Sequence, residues 1–452
     1  MSTNSSSLGN IVIAGLGKSG LATCQYLLAH AELFDELTIV DTREEPQHVA
    51  ELGTLPKQVY TRFGIEELDE GLTFDVAIVS PGLVPTTPLY QSIVRNAQRV
   101  ISEIEFAFEQ HPANWIAITG TNGKTTTTAL TTHILRGAGL NAVSVGNIGT
   151  PAILTVGEAT PDTIFVAEVS SFQLHEVDTF KPRVAALLNI TPDHINWHGS
   201  MEAYAEDKAH VFAQCSTGDV VLINGDDELS APYIEQAGEK GAEVRAIRLK
   251  DGDLAQWTSP ERLNIKGPHN ISNALFAAYA AKAFGVSDEI IARELESFMP
   301  VEHRLQFVTE VAGAAWYNDS KATNPDAVFK ALSAFDTQGI VLLVGGRNKG
   351  NRFIDLARYA FAKPNFKNAI CFGEAGQLIF DDFSNVESEV CESGEKQATR
   401  RCETMDEAMK LARSLASQGD CVVLSPACAS FDEFDSFEQR GEVFMNTVRE
   451  MK

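Results

Sequence analysis

The segment 115–126 contains the residues whose types and spacing are best suited to chemistry. It reads WIAITGTNGKTT, in which a short apolar run leads into a glycine-rich turn, and a pattern typical of a helix follows at 127–135. A strand, such a turn and a helix N-terminus together direct backbone N–H groups and partial positive charge at one point, which suits a phosphate. Lys124 is placed to reach the outer phosphates, and a threonine hydroxyl can hold Mg²⁺. Because Ile118 stands where the full pattern has its first glycine, an ordinary strand–helix turn is the alternative.

A second glycine-rich turn follows the first predicted strand. Gly15, Gly17 and Gly20 form a G-x-G-x-x-G pattern, and Asp41 ends the next predicted strand. Glycines in this arrangement bind the pyrophosphate of a dinucleotide, and an acid about 20 residues later holds a ribose. Close packing of a helix on a strand can also require these glycines. The pattern therefore leaves a nicotinamide cofactor open and favours a nucleotide of another kind.

Four further side chains in the middle of the chain are candidates. Glu168 ends the apolar run TIFVAE, where a carboxylate is unfavourable unless it is paired or coordinated, so we expect it to hold Mg²⁺ rather than to cap a helix. His194 and His198 have the i, i+4 spacing of a metal pair, but a nearby proline and asparagine argue against a helix. His194 is the preferred ligand, and a role for His198 stays open. Lys208 lies on a predicted helix, where a lysine is usually a solvated surface group.

Two polar runs open the last third of the chain. His303 and Arg304 lie at a predicted domain boundary, where an arginine can bridge a phosphate between domains. Residues 318–325 read NDSKATNP. This run either caps a helix or contributes to a site, and the presence of both aspartate and lysine favours the site.

Composition and charge argue against several classes of protein. The chain has 452 residues, a formal net charge of −25 and no basic stretch with interleaved aromatics, so nucleic acid is not an expected partner. Its seven cysteines are scattered and include no C-x-x-C pair, which favours a reducing compartment over a disulfide frame or structural zinc. The N-terminal segment does not resemble a signal peptide, and no apolar run is long enough to span a membrane. These features predict a soluble cytoplasmic protein.

Strand-like and helix-like segments alternate along almost the whole chain, which predicts an α/β fold. We expect three consecutive domains: a Rossmann-like domain at 1–102, a central phosphate-loop domain with a mainly parallel sheet at 103–300, and a Rossmann-like domain at 301–452. Ligands bind outside the carboxyl ends of strands in such sheets. The polar residues at strand ends are therefore the candidate site.

Six motifs occur in an order that resembles one known family. They are GTNGKTT, AEVSSFQL, NITPDH, GPHNISNA, EHRLQ and NDSKATN. Together they resemble the Mur ligases, ATP-dependent amide-forming enzymes of peptidoglycan precursor synthesis. The C-terminal SPACASFDEFDSFEQRG (425–441) and the N-terminal GLGKSG and VDTR are similar to the branch of the family that adds D-glutamate to UDP-N-acetylmuramoyl-L-alanine. The resemblance spans nearly the whole chain, although residues 375–400 carry no recognisable motif.

The resemblance implies a role for each residue at a matching position. Catalysis would depend on Lys124, Glu168, His194 and Lys208. ATP would be bound by Gly120, Thr121, Asn122, Gly123, Lys124, Thr125, Thr126, Asn270, His303, Arg304 and Asp319. The UDP substrate would be bound by Gly17, Lys18, Ser19, Asp41, Thr42, Arg43, Ser80, Asn147 and His194. D-Glutamate would be bound by Lys321, Thr323, Lys349, Ser430, Phe431 and Phe437.

On this resemblance the glycine turn of the first domain would serve UDP rather than NAD. Many relatives have threonine where this chain has Ser19, and leucine where it has Phe431. Two Mg²⁺ ions are implied, with ligands from Thr125, Glu168, His194 and Lys208. The family carbamylates the lysine at the position of Lys208, and the anionic carbamate supports the second metal. This role reverses the surface interpretation given above.

The implied reaction activates a carboxylate. The L-alanyl carboxylate would attack the γ-phosphate of ATP, and the D-glutamate amine would then displace phosphate from the acyl phosphate. The alternatives are another ligase with the same core, such as one adding a different amino acid or a folylpolyglutamate synthase, and a nucleotide-binding regulator without catalysis. A dehydrogenase would leave the second and third domains unexplained. The expected partners are small-molecule substrates, and the expected state is a monomer without membrane insertion.

Overall fold

The computed structural model describes residues 7–46, 48–148, 150–265, 267–299, 303–335, 337–390 and 398–451. Cys391 and the predicted boundary at 300 and 301 lie outside the described residues. The chain is an α/β protein with three domains, each built on its own sheet, as the sequence predicted. The residues group into two compact units, one made of those up to Ser259 with Ser272–Glu296, and the other of Pro260–Ile271 with those from Ser297 onwards. The domain boundaries near 102 and 300 that the sequence predicted remain predictions.

The first sheet contains five parallel strands in the order β3-β2-β1-β4-β5. The strands are β1 (Asn10–Ala14), β2 (Glu36–Asp41), β3 (Val59–Phe63), β4 (Phe74–Val79) and β5 (Ala97–Ser102). The helices are α1 (Lys18–Ala29), α2 (Pro88–Asn96) and α3 (Glu103–Gln110). A Cβ at Gly20 would lie 2.0 Å from the Gly15 carbonyl oxygen, so glycine there lets α1 start tightly against the turn that precedes it.

The second sheet contains six parallel strands in the order β11-β10-β9-β6-β8-β7. They are β6 (Trp115–Thr119), β7 (Ala142–Gly146), β8 (Ile164–Glu168), β9 (Val184–Leu187), β10 (Val220–Asn224) and β11 (Glu243–Ile247). The helices are α4 (Lys124–Gly137), α5 (Ala152–Val156), α6 (Ser171–His175), α7 (Ile195–His198), α8 (Met201–Ala209), α9 (Tyr233–Gly238), α10 (Pro268–Ala283) and α11 (Asp288–Ser297). All five residues of β6 are buried, so the strand that leads to the phosphate loop runs through the core.

The third sheet has the order β12-β13-β17-β14-β15-β16. Its strands are β12 (Gln306–Val311), β13 (Ala314–Asn318), β14 (Ile340–Gly345), β15 (Phe366–Phe372), β16 (Thr399–Arg401) and β17 (Cys421–Ala427). Its helices are α12 (Pro325–Ser333), α13 (Ile354–Ala362), α14 (Gly376–Val390), α15 (Met405–Leu415) and α16 (Phe437–Glu450). Strand β12 pairs antiparallel with β13, whereas the other pairs are parallel.

Short 3-10 helices connect several of these elements. They are Ala31–Leu33, Val49–Leu52, His210–Phe212, Leu249–Asp251, Asp253–Gln256 and Pro260–Arg262. Among the described residues, none of the helices combines the length and the apolar character needed to cross a membrane.

Candidate active site

The phosphate loop lies between the end of β6 and the start of α4. Gly120 has a φ of 150° and Gly123 a φ of 87°, which favour glycine because a Cβ would be strained there. A Cβ at Gly123 would also lie 2.5 Å from Oδ1 of Asn273. Lys124 Nζ donates to the carbonyl oxygens of Gly120 at 2.8 Å and Thr121 at 2.9 Å. The loop predicted from the sequence therefore has the required backbone shape, and its lysine ammonium lies directly over it.

The segment after β9 holds this loop in place. The Asn122 amide donates to Asn189 Oδ1 at 2.9 Å, and Asn189 Nδ2 returns a bond to the Asn122 carbonyl at 2.9 Å. The Thr121 hydroxyl oxygen accepts from the Thr191 amide at 2.9 Å and lies 3.0 Å from the Tyr204 hydroxyl. These bonds fix the loop before a ligand binds. Asn189 was not selected from the sequence, although it lies within the NITPDH motif.

Glu168 ends β8, whose residue pairs run alongside those of β6, with Ile118 opposite Glu168. The carboxyl group is buried, and its Oε1 accepts from Asn147 Nδ2 at 3.0 Å. Its Oε2 is also buried and has no hydrogen-bond partner among the described residues. A buried carboxylate oxygen without a donor is unfavourable unless a cation approaches it, so this residue fits the ligand chemistry of Mg²⁺.

Among the described residues, no three His, Cys, Asp or Glu side chains form a group that could hold a metal ion unaided. A metal bound at Glu168 would therefore need further oxygen ligands of another kind. Phosphate oxygens and the Thr125 hydroxyl at the first turn of α4 belong to that class.

Lys208 is buried, so its interpretation as a solvated surface group is wrong. Helix α8 turns this side chain inward, where Nζ donates to the Gly120 carbonyl at 2.9 Å and lies 4.6 Å from the centre of the Tyr204 ring. Burial lowers the pKa of Lys208 well below its ordinary value, and the nearby Lys124 charge lowers it further. The carboxylates of Asp193, Asp207 and Glu168 oppose this shift without cancelling it. Two lysines thus meet at one phosphate-loop carbonyl, and burial favours the neutral amine form of Lys208.

The two histidines of the DHINWH run have different surroundings. His194 lies at the N-cap of α7 with a φ of 54°, and its ring centre is 4.7 Å from that of Phe172. His198 has a fully buried side chain, with Nδ1 2.7 Å from Asp207 Oδ2 and Nε2 3.0 Å from the Ser171 hydroxyl. Because both ring nitrogens of His198 are engaged, its contacts are those of a structural residue that ties α8 to α6. Helix α7 starts after His194, so the i, i+4 pair does not lie on one helix.

Asp41 organises the glycine turn of the first sheet. Its Oδ2 accepts from the Leu16 amide at 2.7 Å and from Arg43 Nη2 at 2.7 Å, and its Oδ1 accepts from Arg43 Nε at 2.9 Å. Burial alone would raise the pKa of Asp41, but the bonds from Arg43 and Leu16 hold it below its ordinary value. The predicted UDP-site residues of this domain occupy the carboxyl edge of the sheet: Gly17, Lys18 and Ser19 before or within the first turn of α1, Asp41, Thr42 and Arg43 at the end of β2, and Ser80 after β4.

In the second unit, Asp319 follows β13 and is buried. Its Oδ2 accepts from the Ser425 hydroxyl at 2.7 Å and its Oδ1 from the Leu305 amide at 3.2 Å. Burial raises the pKa of Asp319 to about 7, although the Ser425 hydroxyl and the Arg304 charge oppose the shift. His303 has a φ of 62°, and its Nδ1 accepts from Asn318 Nδ2 at 2.9 Å.

A Cβ at Gly441 would lie 2.1 Å from His303 Nδ1. The imidazole of His303 can therefore pack closely on α16 only because residue 441 is glycine. Asn270 lies in the first turn of α10, where its amide donates to the Gly267 carbonyl at 3.0 Å. Asn270, His303, Arg304 and Asp319 thus all belong to the second unit.

The residues predicted for the amino acid also belong to the second unit. Lys321 Nζ lies 5.2 Å from the centre of the Phe437 ring. The Ser430 hydroxyl is buried without a hydrogen-bond partner among the described residues, whereas the neighbouring Phe431 is 60 % exposed. Asn324 caps α12 by accepting from the Ala327 amide at 2.9 Å, so the polar run at 318–325 does contain a helix cap. Thr323 and Lys349 lie in the loops after β13 and β14.

A phosphate loop of this kind on a parallel sheet, with a buried carboxylate one strand away, defines an α/β protein of the nucleotide-binding class. Residues 9–102 match the family model "Mur ligase MurD-like, N-terminal domain", residues 118–281 the "Mur ligase middle domain" and residues 303–428 the "Mur ligase, glutamate ligase domain". The chain belongs to the Mur ligase family, as its motifs predicted.

Known relatives support this assignment. The chain is 37 % identical to UDP-N-acetylmuramoylalanine–D-glutamate ligase of Pelotomaculum thermopropionicum, with 98 % of each chain covered. Its fold is similar to that of UDP-N-acetylmuramate–alanine ligase from Thermotoga maritima, with a TM-score of 0.56, 16 % identity and coverage of 98 % of this chain and 100 % of the other. It is also similar to E. coli FolC in complex with DHPP and ADP, with a TM-score of 0.57, 18 % identity and coverage of 78 % and 94 %.

Proposed function

We propose that this protein joins D-glutamate to UDP-N-acetylmuramoyl-L-alanine at the expense of ATP, in the synthesis of peptidoglycan precursors. One observation carries the proposal: Lys124 and Lys208 meet at the carbonyl of Gly120, beside Glu168, whose Oε2 lacks a hydrogen bond among the described residues. This arrangement offers positive charge for phosphates, a carboxylate for a cation and an amine able to react with carbon dioxide. The relatives named for this reaction match along almost the full chain.

ATP would bind with its phosphates on the loop 120–126, where backbone N–H groups and Lys124 receive the negative charge. The family resemblance also implies that Asn270, His303, Arg304 and Asp319 bind ATP, and we propose the same role for them here. Burial raises the pKa of Asp319 to about 7, and the Arg304 charge opposes this shift. The carboxylate form of Asp319, which can accept a hydrogen bond from the ligand, is therefore accessible near neutral pH.

Two Mg²⁺ ions would be held. Thr125 and Glu168 would bind one of them, and His194 and the carbamate of Lys208 would bind the other. When bound, they would neutralise the charge on the transferring phosphoryl group. Formation of the carbamate needs an unprotonated amine: the lone pair of Lys208 Nζ forms a bond to the carbon of carbon dioxide, one C–O π bond opens, and the nitrogen loses a proton to water. Burial lowers the pKa of Lys208, which favours that unprotonated amine.

The chemistry proceeds in two displacements. An oxygen of the L-alanyl carboxylate attacks the γ-phosphorus, the bond to the ADP oxygen breaks, and an acyl phosphate forms while Lys124 stabilises the growing negative charge. The amine of D-glutamate then attacks the acyl carbon, inorganic phosphate leaves, and the nitrogen releases a proton. The first displacement is needed because a carboxylate does not react with an amine in water.

The UDP part of the substrate would lie on the carboxyl edge of the first sheet. There Gly17, Lys18, Ser19 and Ser80 would surround the diphosphate, and Asp41, Thr42 and Arg43 would contact uracil. Asn147 would reach the sugar–diphosphate region while holding Glu168. Since Arg43 and the Leu16 amide already engage both oxygens of Asp41, that carboxylate would act mainly by fixing the turn.

The two carboxylates of D-glutamate would be bound by Lys321 and Lys349 together with hydroxyl donors from Thr323 and Ser430. Phe437 would close one side of this pocket, and Phe431 would contribute through its backbone. The Ser430 hydroxyl, buried without a partner among the described residues, is well suited to receive such a ligand. We further expect the protein to work as a monomer in the cytoplasm, where ATP and nucleotide-linked precursors are available.

The test is ADP release from ATP in the presence of UDP-N-acetylmuramoyl-L-alanine, with single amino acids omitted or added. Release that depends on D-glutamate is expected, and the Lys124→Ala variant is the matched control for phosphate-loop chemistry. Release that requires another amino acid would assign the protein to a different ligase of this core. Nucleotide binding without turnover under all conditions would favour a regulatory protein.

A further inference from the structure

Arg440 is a second buried cation, and it lies close to residues of the proposed site. It is 0 % exposed, on the first turn of α16. Its Nε donates to the Ser320 hydroxyl at 2.9 Å and its Nη2 to the Ser320 carbonyl at 2.7 Å. Its Nη1 donates to the carbonyls of Cys428 at 3.1 Å and Ala429 at 3.2 Å. One guanidinium therefore joins two loops that are more than a hundred residues apart in the chain.

Each segment tied in this way leads directly into residues proposed to bind D-glutamate. Ser320 precedes Lys321, and Ala429 precedes Ser430. The Ser320 hydroxyl in turn donates to the carbonyl of Phe437 at 2.8 Å. A third loop, which carries Lys349, passes close to Arg440, since a Cβ at Gly346 would lie 3.1 Å from Arg440 Nη1.

The loop after β17 is also fixed at its outer end. Asp432 Oδ2 accepts from the Glu374 amide at 3.0 Å, and Glu433 Oε2 accepts from the Met405 amide at 3.1 Å. These two carboxylates lie at the N-termini of α14 and α15, where negative charge is favourable. The segment that carries Ser430 is therefore anchored on both sides, and Arg440 links it to Ser320, the residue directly before Lys321.

A lysine could not replace these contacts. The planar guanidinium directs its donors toward four acceptors at fixed angles, whereas an ammonium offers three donors around one atom at the end of a flexible stem. Burial lowers the pKa of Arg440 to about 10, so the group keeps its charge at neutral pH. Its field is therefore favourable for an amino acid that carries two carboxylates close by.

We propose that Arg440 is the positioning residue of the amino-acid pocket, and that it sets the spacing between Lys321 and Ser430 on which recognition of D-glutamate depends. This inference rests on the proposed function and adds a specificity-determining residue to it. Since Arg440 has no exposed surface, it acts through these loops without touching the substrate.

The test compares Arg440→Lys with Arg449→Lys, a matched control on the same helix whose arginine is exposed. Two readouts are taken: the KM for D-glutamate in the complete reaction, and trapping of the acyl phosphate by hydroxylamine with ATP and UDP-N-acetylmuramoyl-L-alanine alone. In Arg440→Lys we expect the KM for D-glutamate to rise about 10- to 100-fold, as misplacement of positioning groups by about 1 Å does. Hydroxamate formation should stay within about threefold of the wild type, and Arg449→Lys should change neither readout.

An unchanged KM for D-glutamate in folded Arg440→Lys would overturn the inference. Equal losses in both readouts would also overturn it, because they would indicate a general structural role. Should Arg440→Lys fail to fold, Ser320→Ala takes its place, since it removes one acceptor of Arg440 and the bond to Phe437; the same split between the two readouts is then required. A wild-type protein that forms no hydroxamate and no amide would instead contradict the proposed function.

Discussion

Each of the two units buries a cation, and burial has a different effect on the charge of each one. Lys208 in the first unit is 2 % exposed and Arg440 in the second is 0 % exposed. Burial lowers the pKa of Lys208 well below its ordinary value, whereas that of Arg440 falls only to about 10. Burial therefore favours the neutral form of the lysine, whereas the arginine keeps its charge at neutral pH. Burial thus has different results in the two units: it favours a reactive amine at Lys208 and leaves Arg440 as a charged link between loops.

The partners of the two groups agree with this difference. Lys208 Nζ donates to one carbonyl, that of Gly120, which Lys124 Nζ also reaches. The Arg440 guanidinium donates to three carbonyls and one hydroxyl. Removal of the lysine leaves the Gly120 carbonyl with a donor. Removal of the arginine takes a shared donor from four acceptors, of which the Ala429 carbonyl keeps a bond from the Arg347 amide. Lys208 is thus suited to a chemical role, and Arg440 is suited to holding loops together.

The largest effect is expected for Lys124→Ala, which removes the cation that faces the phosphates in the first unit. We expect kcat for ADP release to fall about 10³-fold, since electrostatic stabilisation of the transferring phosphoryl group is lost. The measurement is steady-state ADP release, with the thermal midpoint as the control for folding. A loss below about tenfold would show that the loop lysine is not central to the reaction.

Lys208→Ala comes next and tests the chemical role of the other lysine. The activity should fall about 10²-fold, because the oxygen ligands of a carbamate disappear. Added formate or acetate should restore part of the activity in this variant and leave the wild type unchanged. Lys240→Ala, which alters a surface lysine of the same domain, is the control. Normal turnover by unsupplemented Lys208→Ala would remove Lys208 from the mechanism.

Arg440→Met should destabilise the protein by about 3–5 kcal/mol, because buried acceptors lose their donor. Urea titration followed by tryptophan fluorescence gives this free energy of unfolding. Arg449→Met, on the exposed side of α16, should change it by less than about 0.5 kcal/mol. Equal stability of the two variants would mean that Arg440 does not hold the loops together.

Lys208→Met should change the free energy of unfolding in the opposite direction, toward greater stability. In buffer without carbon dioxide at pH 7, we expect this variant to be about 1–3 kcal/mol more stable than the wild type, since a hydrophobic side chain replaces a buried ionisable group. Between the lowered pKa of the folded protein and the ordinary value near 10.5, the unfolded chain binds more protons at Lys208 than the folded one. The wild type therefore gains stability as the pH rises, and the advantage of the variant shrinks by up to about 1.4 kcal/mol per pH unit.

Urea titrations of the two proteins at pH 7, 8 and 9 measure this convergence. Parallel stability curves would contradict the lowered pKa of Lys208. A variant less stable than the wild type at every pH would contradict the view that this lysine is retained for chemistry.

The smallest effect is expected for Phe431→Leu. The ring is 60 % exposed, and the proposed contact with D-glutamate is through the backbone, so the KM for D-glutamate should change by about twofold or less. Ser430→Ala is the comparison, since it removes a buried hydroxyl and should raise that KM more. A larger effect for Phe431→Leu than for Ser430→Ala would place the aromatic ring in the pocket.

The sequence predicted the parts of this molecule that depend on local patterns. The three-domain α/β fold, the phosphate loop and the strand that ends at Glu168 all follow from apolar runs and glycines close in sequence. The Mur ligase motifs identified the family. The roles given to individual residues by that resemblance stay predictions until the experiments above are done.

Features that depend on distant contacts were not predicted. The helix α8 is too weakly amphipathic to show which face is buried, and the place of Lys208 is set by Gly120, which is 88 residues away. The importance of Arg440 depends on Ser320, which is 120 residues away. The antiparallel edge strand β12 also lacked a signal, because pairing direction depends on the sheet that a strand joins. A buried charge is recognised only when its long-range partners are known.

The central claim is that ATP bound at the phosphate loop activates the alanyl carboxylate as an acyl phosphate. It is tested most directly with UDP-N-acetylmuramoyl-L-alanine labelled with ¹⁸O in both carboxylate oxygens, incubated with ATP, D-glutamate and the protein. Mass spectrometry of the inorganic phosphate should find one ¹⁸O atom transferred to each phosphate released with amide. Amide formation with unlabelled phosphate would contradict the account.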